Sequence, residues 1–162
     1  MMSKRLEYSE DLIKKADNLL SKSEEELKGY AQSYSNIIAN CQTAIELSAK
    51  SIFKTMGMDF PKEHQLLFKR KKGKVMEEVR ELLSKQFPEY FTQKHELPRI
   101  LFLTYFWHEF YTIAKYGISE LDMPPDKLFE KEDAELAISH AKYCVNIANT
   151  LLMYKENEEK RR

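Results

Sequence analysis

Apolar residues that recur at steps of three and four, over long runs free of glycine and proline, leave this chain little choice but helices. From about Lys4 to Lys28 the residues Leu12, Ala16, Leu19, Leu20 and Leu27 keep that spacing, with Lys and Glu filling the rest. Gly29 interrupts the run. A second helix is predicted from there to about Met56, with Tyr34, Ile38, Cys41, Ile45, Ile52 and Met56 inward and Gly57 placed to end it. Two long helices joined by a short break can match their apolar stripes only as an antiparallel hairpin. Four glycines and five prolines are too few for a turn-rich β architecture.

Beyond the loop 58–64, a shorter helix around Val75 to Gln86 carries Val75, Val79, Leu82 and Leu83 inward, and Glu89 to Glu96 reads as a loop. The next helix, Pro98 to Tyr116, differs from the others. Leu101, Phe102, Leu103, Tyr105, Phe106, Trp107, Phe110, Tyr111 and Ile113 leave it little polar surface. Such a helix must be covered on nearly every side, which one hairpin cannot do, so a homodimer with this helix at or near its interface is expected. Gly117 to Glu130, with Pro124-Pro125, is a connecting loop, and Glu132 opens a last helix whose stripe is Ala134, Ile138, Ala141, Val145, Ala148 and Leu152. The tail Lys155 to Arg162 is charged, has no apolar face and is expected to fray. The expectation is an all-α, up-and-down bundle of about five helices, a single domain over 1–162 with its core at about 6–154.

Net charge is formally zero, so any affinity for polyphosphate must come from a local patch. Cys41 and Cys144 lack the spacing and companions of a zinc site or disulfide framework and read as buried, reduced thiols. No metal or cofactor is implied. The apolar stretch Ile100 to Ala114 is interrupted by polar residues and too short for a bilayer. Met1-Met2-Ser3-Lys4-Arg5 leads into charged amphipathic sequence where a signal peptide would carry an apolar core, so the protein is expected to be cytoplasmic, with no membrane partner.

The stretch 41–54, with Gln42, Glu46 and Lys50 at four-residue intervals among alanines and leucines, resembles the second helix of HEPN proteins. Gly57, Phe60-Pro61 and His64 are similar to that family's turn and Pro-then-His loop, and the order of elements matches over about residues 6–154. The i, i+4, i+8 spacing puts the three polar residues on one slowly drifting face, with Glu before Lys in the favourable order, worth about 0.2–0.5 kcal/mol if exposed. The resemblance implies instead a partly buried pair beside a functional groove.

Many HEPN proteins are metal-independent ribonucleases with an Arg four to six residues before a His at the end of the fourth helix; the Arg stabilises the phosphate while the His acts as acid or base. Here the matching segment is 107–117, with no Arg in the required place and Lys115-Tyr116-Gly117 where the His would stand. Arg99 and His108 are nine residues apart, about half a turn out of phase at roughly 3.6 residues per turn. His108, Thr112 and Lys115, flanked by Glu109 and Tyr116, form a polar strip in this apolar helix. It is either a satisfied seam that fixes register or a groove for a phosphate or nucleobase, with Glu46, Lys50, His64 and Tyr111 contributing.

Lys69, Arg70, Lys71, Lys72 and Lys74 form the densest basic cluster, either a solvated loop or a phosphate patch. The expected function is a non-catalytic binding module for a nucleotide or RNA. The resemblance implies a minimal nucleotidyltransferase as partner, in a toxin–antitoxin-like pair. The alternatives are a divergent metal-independent ribonuclease using His108, Lys115 and Tyr116, and a structural dimerisation domain.

Overall fold

The helical spacing is realised along nearly the whole chain. In the computed structural model, which describes residues 3–60 and 72–161, and for 72–76 the backbone alone, the helices run α1 (Lys4–Lys28), α2 (Tyr34–Thr55), α3 (Lys72–Ser84), α4 (Leu97–Tyr116) and α5 (Lys131–Arg161). Among the described residues the one strand-like pairing is an isolated bridge between Ile118 and Met123. α3 begins earlier than its apolar residues suggested, so Lys72 and Lys74 belong to its first turn and do not precede it. A short 3-10 turn, Thr92–Glu96, occupies part of the expected loop before α4.

α2 sits at the centre and packs against α1, α4 and α5. Ile37, Ile38, Cys41, Ala44, Ile45, Ala49, Ile52 and Phe53 are all buried, facing several directions around the helix. The hairpin with α1 closes through Glu26, whose carboxylate accepts from the Ser33 backbone N–H at 3.2 Å and from the Asn36 amide at 2.7 Å. Ser33 Oγ caps α2 by accepting from the Asn36 N–H. Farther along, small residues let the two helices approach: the Ser51 hydroxyl donates to the Ser9 carbonyl of α1 at 3.2 Å. α5 lays Ala134, Ala137, Ala141, Cys144 and Ala148 into the same core. Both cysteines are buried, and burial pushes each thiol up to about 12, leaving them inert thiols.

The C-terminal tail departs from the expectation of fraying. α5 continues to Arg161 because its last turns have partners. The Ser3 hydroxyl donates to Glu159 at 3.0 Å, Arg5 pairs with Glu159 at 3.3 Å, and Tyr154 meets Tyr90. A stripe read along one helix cannot register polar contacts made to residues at the far end of the chain.

The core of α2 holds an ion pair. Lys50 Nζ lies 2.6 Å from Glu46 Oε1, the residues being 8% and 4% exposed. The Gln42 amide donates to the other Glu46 oxygen at 3.3 Å, and the ammonium stands 5.4 Å over the Phe60 ring. Removing one member of a buried pair strands the other, at a cost of about 3–5 kcal/mol, while apolar replacement of both is often neutral. Lys50→Met alone should therefore lower chemical-denaturation stability by about that amount, and the double variant Glu46→Leu/Lys50→Met should recover most of it. Equal loss in both variants would show that the pair's packing matters and its charges do not.

The segment 117–130 is tied to the N-terminus of α2. Asp126 Oδ1 accepts from the Ser33 and Ser35 hydroxyls at 2.7 and 2.6 Å, and Gly117 turns the chain at φ +72°, where a Cβ would lie 2.1 Å from the Met123 carbonyl oxygen. The hydroxyls of Ser35 and Ser33 hold the Asp126 carboxyl below its ordinary pKa. A depressed carboxyl stabilises the fold above its unfolded pKa and loses that contribution as pH falls through its folded value. Amide exchange across 117–130 should thus accelerate selectively below about pH 4, and Ser35→Ala should shift the onset upward. An acceleration spread evenly over the molecule would show that Asp126 does not hold this segment in place.

Candidate functional site

α4 crosses α2 in antiparallel fashion, and Leu97, Ile100, Leu101, Leu103, Thr104, Trp107 and Ala114 make its buried face. Thr104 satisfies its hydroxyl on the Ile100 carbonyl at 2.9 Å. Toward its C-terminal end the contact opens into a groove of about 390 Å³. Asn36, Asn40 and Thr43 of α2 form one wall, Tyr111 and Lys115 of α4 the other, and Pro125 and Asp126 close the end.

Lys115 Nζ donates to the Tyr111 hydroxyl at 2.9 Å and lies 5.1 Å over that ring and 6.0 Å over Tyr116. The Tyr111 hydroxyl raises the lysine's pKa above its ordinary value, so Lys115 is a fixed cation and unsuited to accept a proton near neutral pH. Asp126, held by the Ser33 and Ser35 hydroxyls at the start of α2, adds a carboxylate, and the amides of Asn36 and Asn40 offer donors and acceptors in the same lining. Such a lining can hold a phosphate at one end and read a polar ring edge along its length.

The sequence-derived candidates separate into groups. Lys115 and Tyr111 line the groove. His108 is half-buried one turn nearer the middle of α4, while Glu109, Thr112 and Tyr116 are exposed and do not line it. Glu46 and Lys50 lie farther along α2, reached by a polar path: the Thr43 hydroxyl is 3.4 Å from Gln42 Oε1, and Gln42 bonds Glu46. The resemblance implied a partly buried pair; the two residues are in fact buried. His64, Lys69, Arg70 and Lys71 lie outside the described residues, as do the side chains of Lys72 and Lys74.

Arg99 does not meet His108; its guanidinium stands 5.8 Å over the Tyr143 ring of α5. Tyr143 donates to Glu96, which lowers the Glu96 pKa, and burial raises that of Tyr143. A second histidine, His140, holds α4 to α5. Its Nδ1 accepts from Trp107 Nε1 at 3.0 Å; since indole only donates, the neutral ring carries its proton on Nε2. Burial, with a smaller contribution from Arg99, lowers the His140 pKa.

Asn36, Asn40, Thr43 and Asp126 had no sequence signal of their own. Each is a common polar residue in amphipathic sequence or a turn, and only the crossing of α2 and α4 assembles them. Among the described residues no group of His, Cys, Asp and Glu is placed to hold a metal ion, and no helix is long and apolar enough to cross a membrane.

Comparison with known proteins adds one finding. The HEPN domain family model matches residues 9–151. Neither the curated proteins nor the solved structures give a significant match. The matched region begins within α1 and ends within α5, so it takes in α2, α4 and the 125–126 turn that line the groove. The chain belongs to the HEPN domain family.

Proposed function

We propose that this chain is a non-catalytic HEPN module that recognises a nucleotide or RNA in the α2/α4 groove. The observation that carries the reading is Lys115, a cation oriented by the Tyr111 hydroxyl in the lining of a polar groove. No histidine or arginine lines the groove among the described residues, so the proton transfer and phosphate clamp of a metal-independent ribonuclease lack their usual carriers. By family resemblance its partner is a minimal nucleotidyltransferase, in a toxin–antitoxin-like pair.

The second part of the proposal is a homodimer through the outer face of α4. Phe102 is 54% exposed and stacks on Phe106, which in turn packs edge-on against Phe110, at centroid distances of 6.0 and 5.3 Å. Tyr105 and Tyr116 add to this exposed aromatic surface. Rings at i, i+4 and i+8 form a continuous ridge of the kind that marks an interface.

Purified protein should leave end-labelled RNA intact in EDTA while binding it. Lys115→Ala should weaken binding by about tenfold and reduce the log–log salt slope by about one, as loss of a single phosphate contact does. RNA cleavage abolished by His108→Ala or Lys115→Ala would establish an enzyme instead. In analytical ultracentrifugation Phe102→Glu should shift the protein toward monomer; a wild-type mass that stays monomeric at all concentrations contradicts the dimer.

A further inference from the structure

A cavity larger than the groove lies elsewhere among the described residues. It lies where the first turn of α1 meets the last turn of α2, has a volume of about 780 Å³, and is lined by Lys4, Arg5, Tyr8, Lys54, Asp59 and Phe60 with Gly57 beneath. Its chemistry is two-sided. Tyr8, 48% exposed, and Phe60 present near-parallel rings, 21° apart with centroids at 6.5 Å. Around them stand three cations: Lys4, Arg5 and Lys54, with Lys54 5.9 Å over the Tyr8 ring.

Two of these cations, Lys4 and Lys54, are held loosely, while Arg5 pairs with Glu159 at 3.3 Å. Lys54 meets Asp59 at 2.9 Å, but that aspartate side chain is almost fully exposed, and Lys4 has no ion pair among the described residues. A solvent-exposed partner is readily displaced by a better-placed anion, because such pairs contribute little. Arg5 lies directly on the backbone: a Cβ at Gly57, whose φ is +77°, would stand 2.9 Å from the guanidinium. No side chain caps α1: the Ser3 hydroxyl and N–H both donate to the Glu159 carboxylate, which stands at the start of that helix.

We infer that this cavity binds a nucleoside phosphate, with the base against Tyr8 and Phe60 and the phosphate between Lys4, Arg5 and Lys54. Aromatic rings take the flat face of a base without regard to its identity, and cations beside them take the charge. The site is separate from the α2/α4 groove, at the other end of α2. The same chemistry is offered by a free mononucleotide and by the phosphorylated end of an RNA chain.

The test uses full-length Lys115→Ala protein, so that the groove contributes little, titrated calorimetrically with AMP, adenosine, inorganic phosphate and a 5′-phosphorylated tetraribonucleotide. AMP or the tetranucleotide should bind more tightly than adenosine or phosphate alone, and Tyr8→Ala and Lys54→Ala should each weaken that binding by about tenfold, within the range for loss of one stacked base. AMP binding supports a free nucleotide as ligand, and binding of the tetranucleotide alone supports an RNA end. Thermal melts of both variants guard against misfolding, and Tyr8→Phe should retain affinity. If neither probe binds at millimolar concentration, or if binding is indifferent to Tyr8→Ala and Lys54→Ala in folded protein, the cavity is not a nucleotide site. Either result leaves the groove, tested on Lys115, to stand or fall by itself.

Discussion

Everything in this molecule is arranged around the burial of α2. A helix covered by α1, α4 and α5 has little room for polar groups, yet α2 carries Gln42, Glu46 and Lys50 into the interior. They are tolerated because each satisfies the next, from amide to carboxylate to ammonium and on to the Phe60 ring. A chain of polar groups with fixed spacing on one helix also sets that helix's rotation. Once the rotation is set, Asn36, Asn40 and Thr43 face α4 and the groove has its wall.

The same path runs from the groove toward the α1/α2 cavity. Thr43 touches the groove and Gln42, while Lys50 touches Glu46 and the Phe60 ring that lines the cavity. The groove and the cavity are thus joined by contiguous contacts along α2, the last of them from Lys50 to the Phe60 ring beyond the helix. The exposed aromatic face of α4 is distinct from both, set by residues that turn outward because α2 fills the inward side.

The helices were legible because their apolar residues obey one period: the bounds of α1 and α2 follow from stripes broken at Gly29 and Gly57. The ends that depend on distant partners were not. Glu159 reaches Ser3 and Arg5 at the other terminus, which no local pattern announces, and so the tail read as frayed. The buried pair was visible as a spacing, and its burial only through the family resemblance.

Half of the candidate groove's lining was legible. A lysine standing where the family has its histidine is conspicuous in an apolar helix, and Lys115 with Tyr111 does line the groove. The opposite wall and Asp126 were invisible, because ordinary polar residues acquire meaning only through the crossing of two helices. The central claim, that the α2/α4 groove holds RNA without cutting it, is tested most directly by mapping amide chemical shifts during titration with a short RNA. Shifts concentrated at Asn36, Asn40, Thr43, Tyr111 and Lys115, with the RNA recovered intact, are the result the account requires. Shifts that avoid that groove, or RNA recovered as fragments, would contradict it.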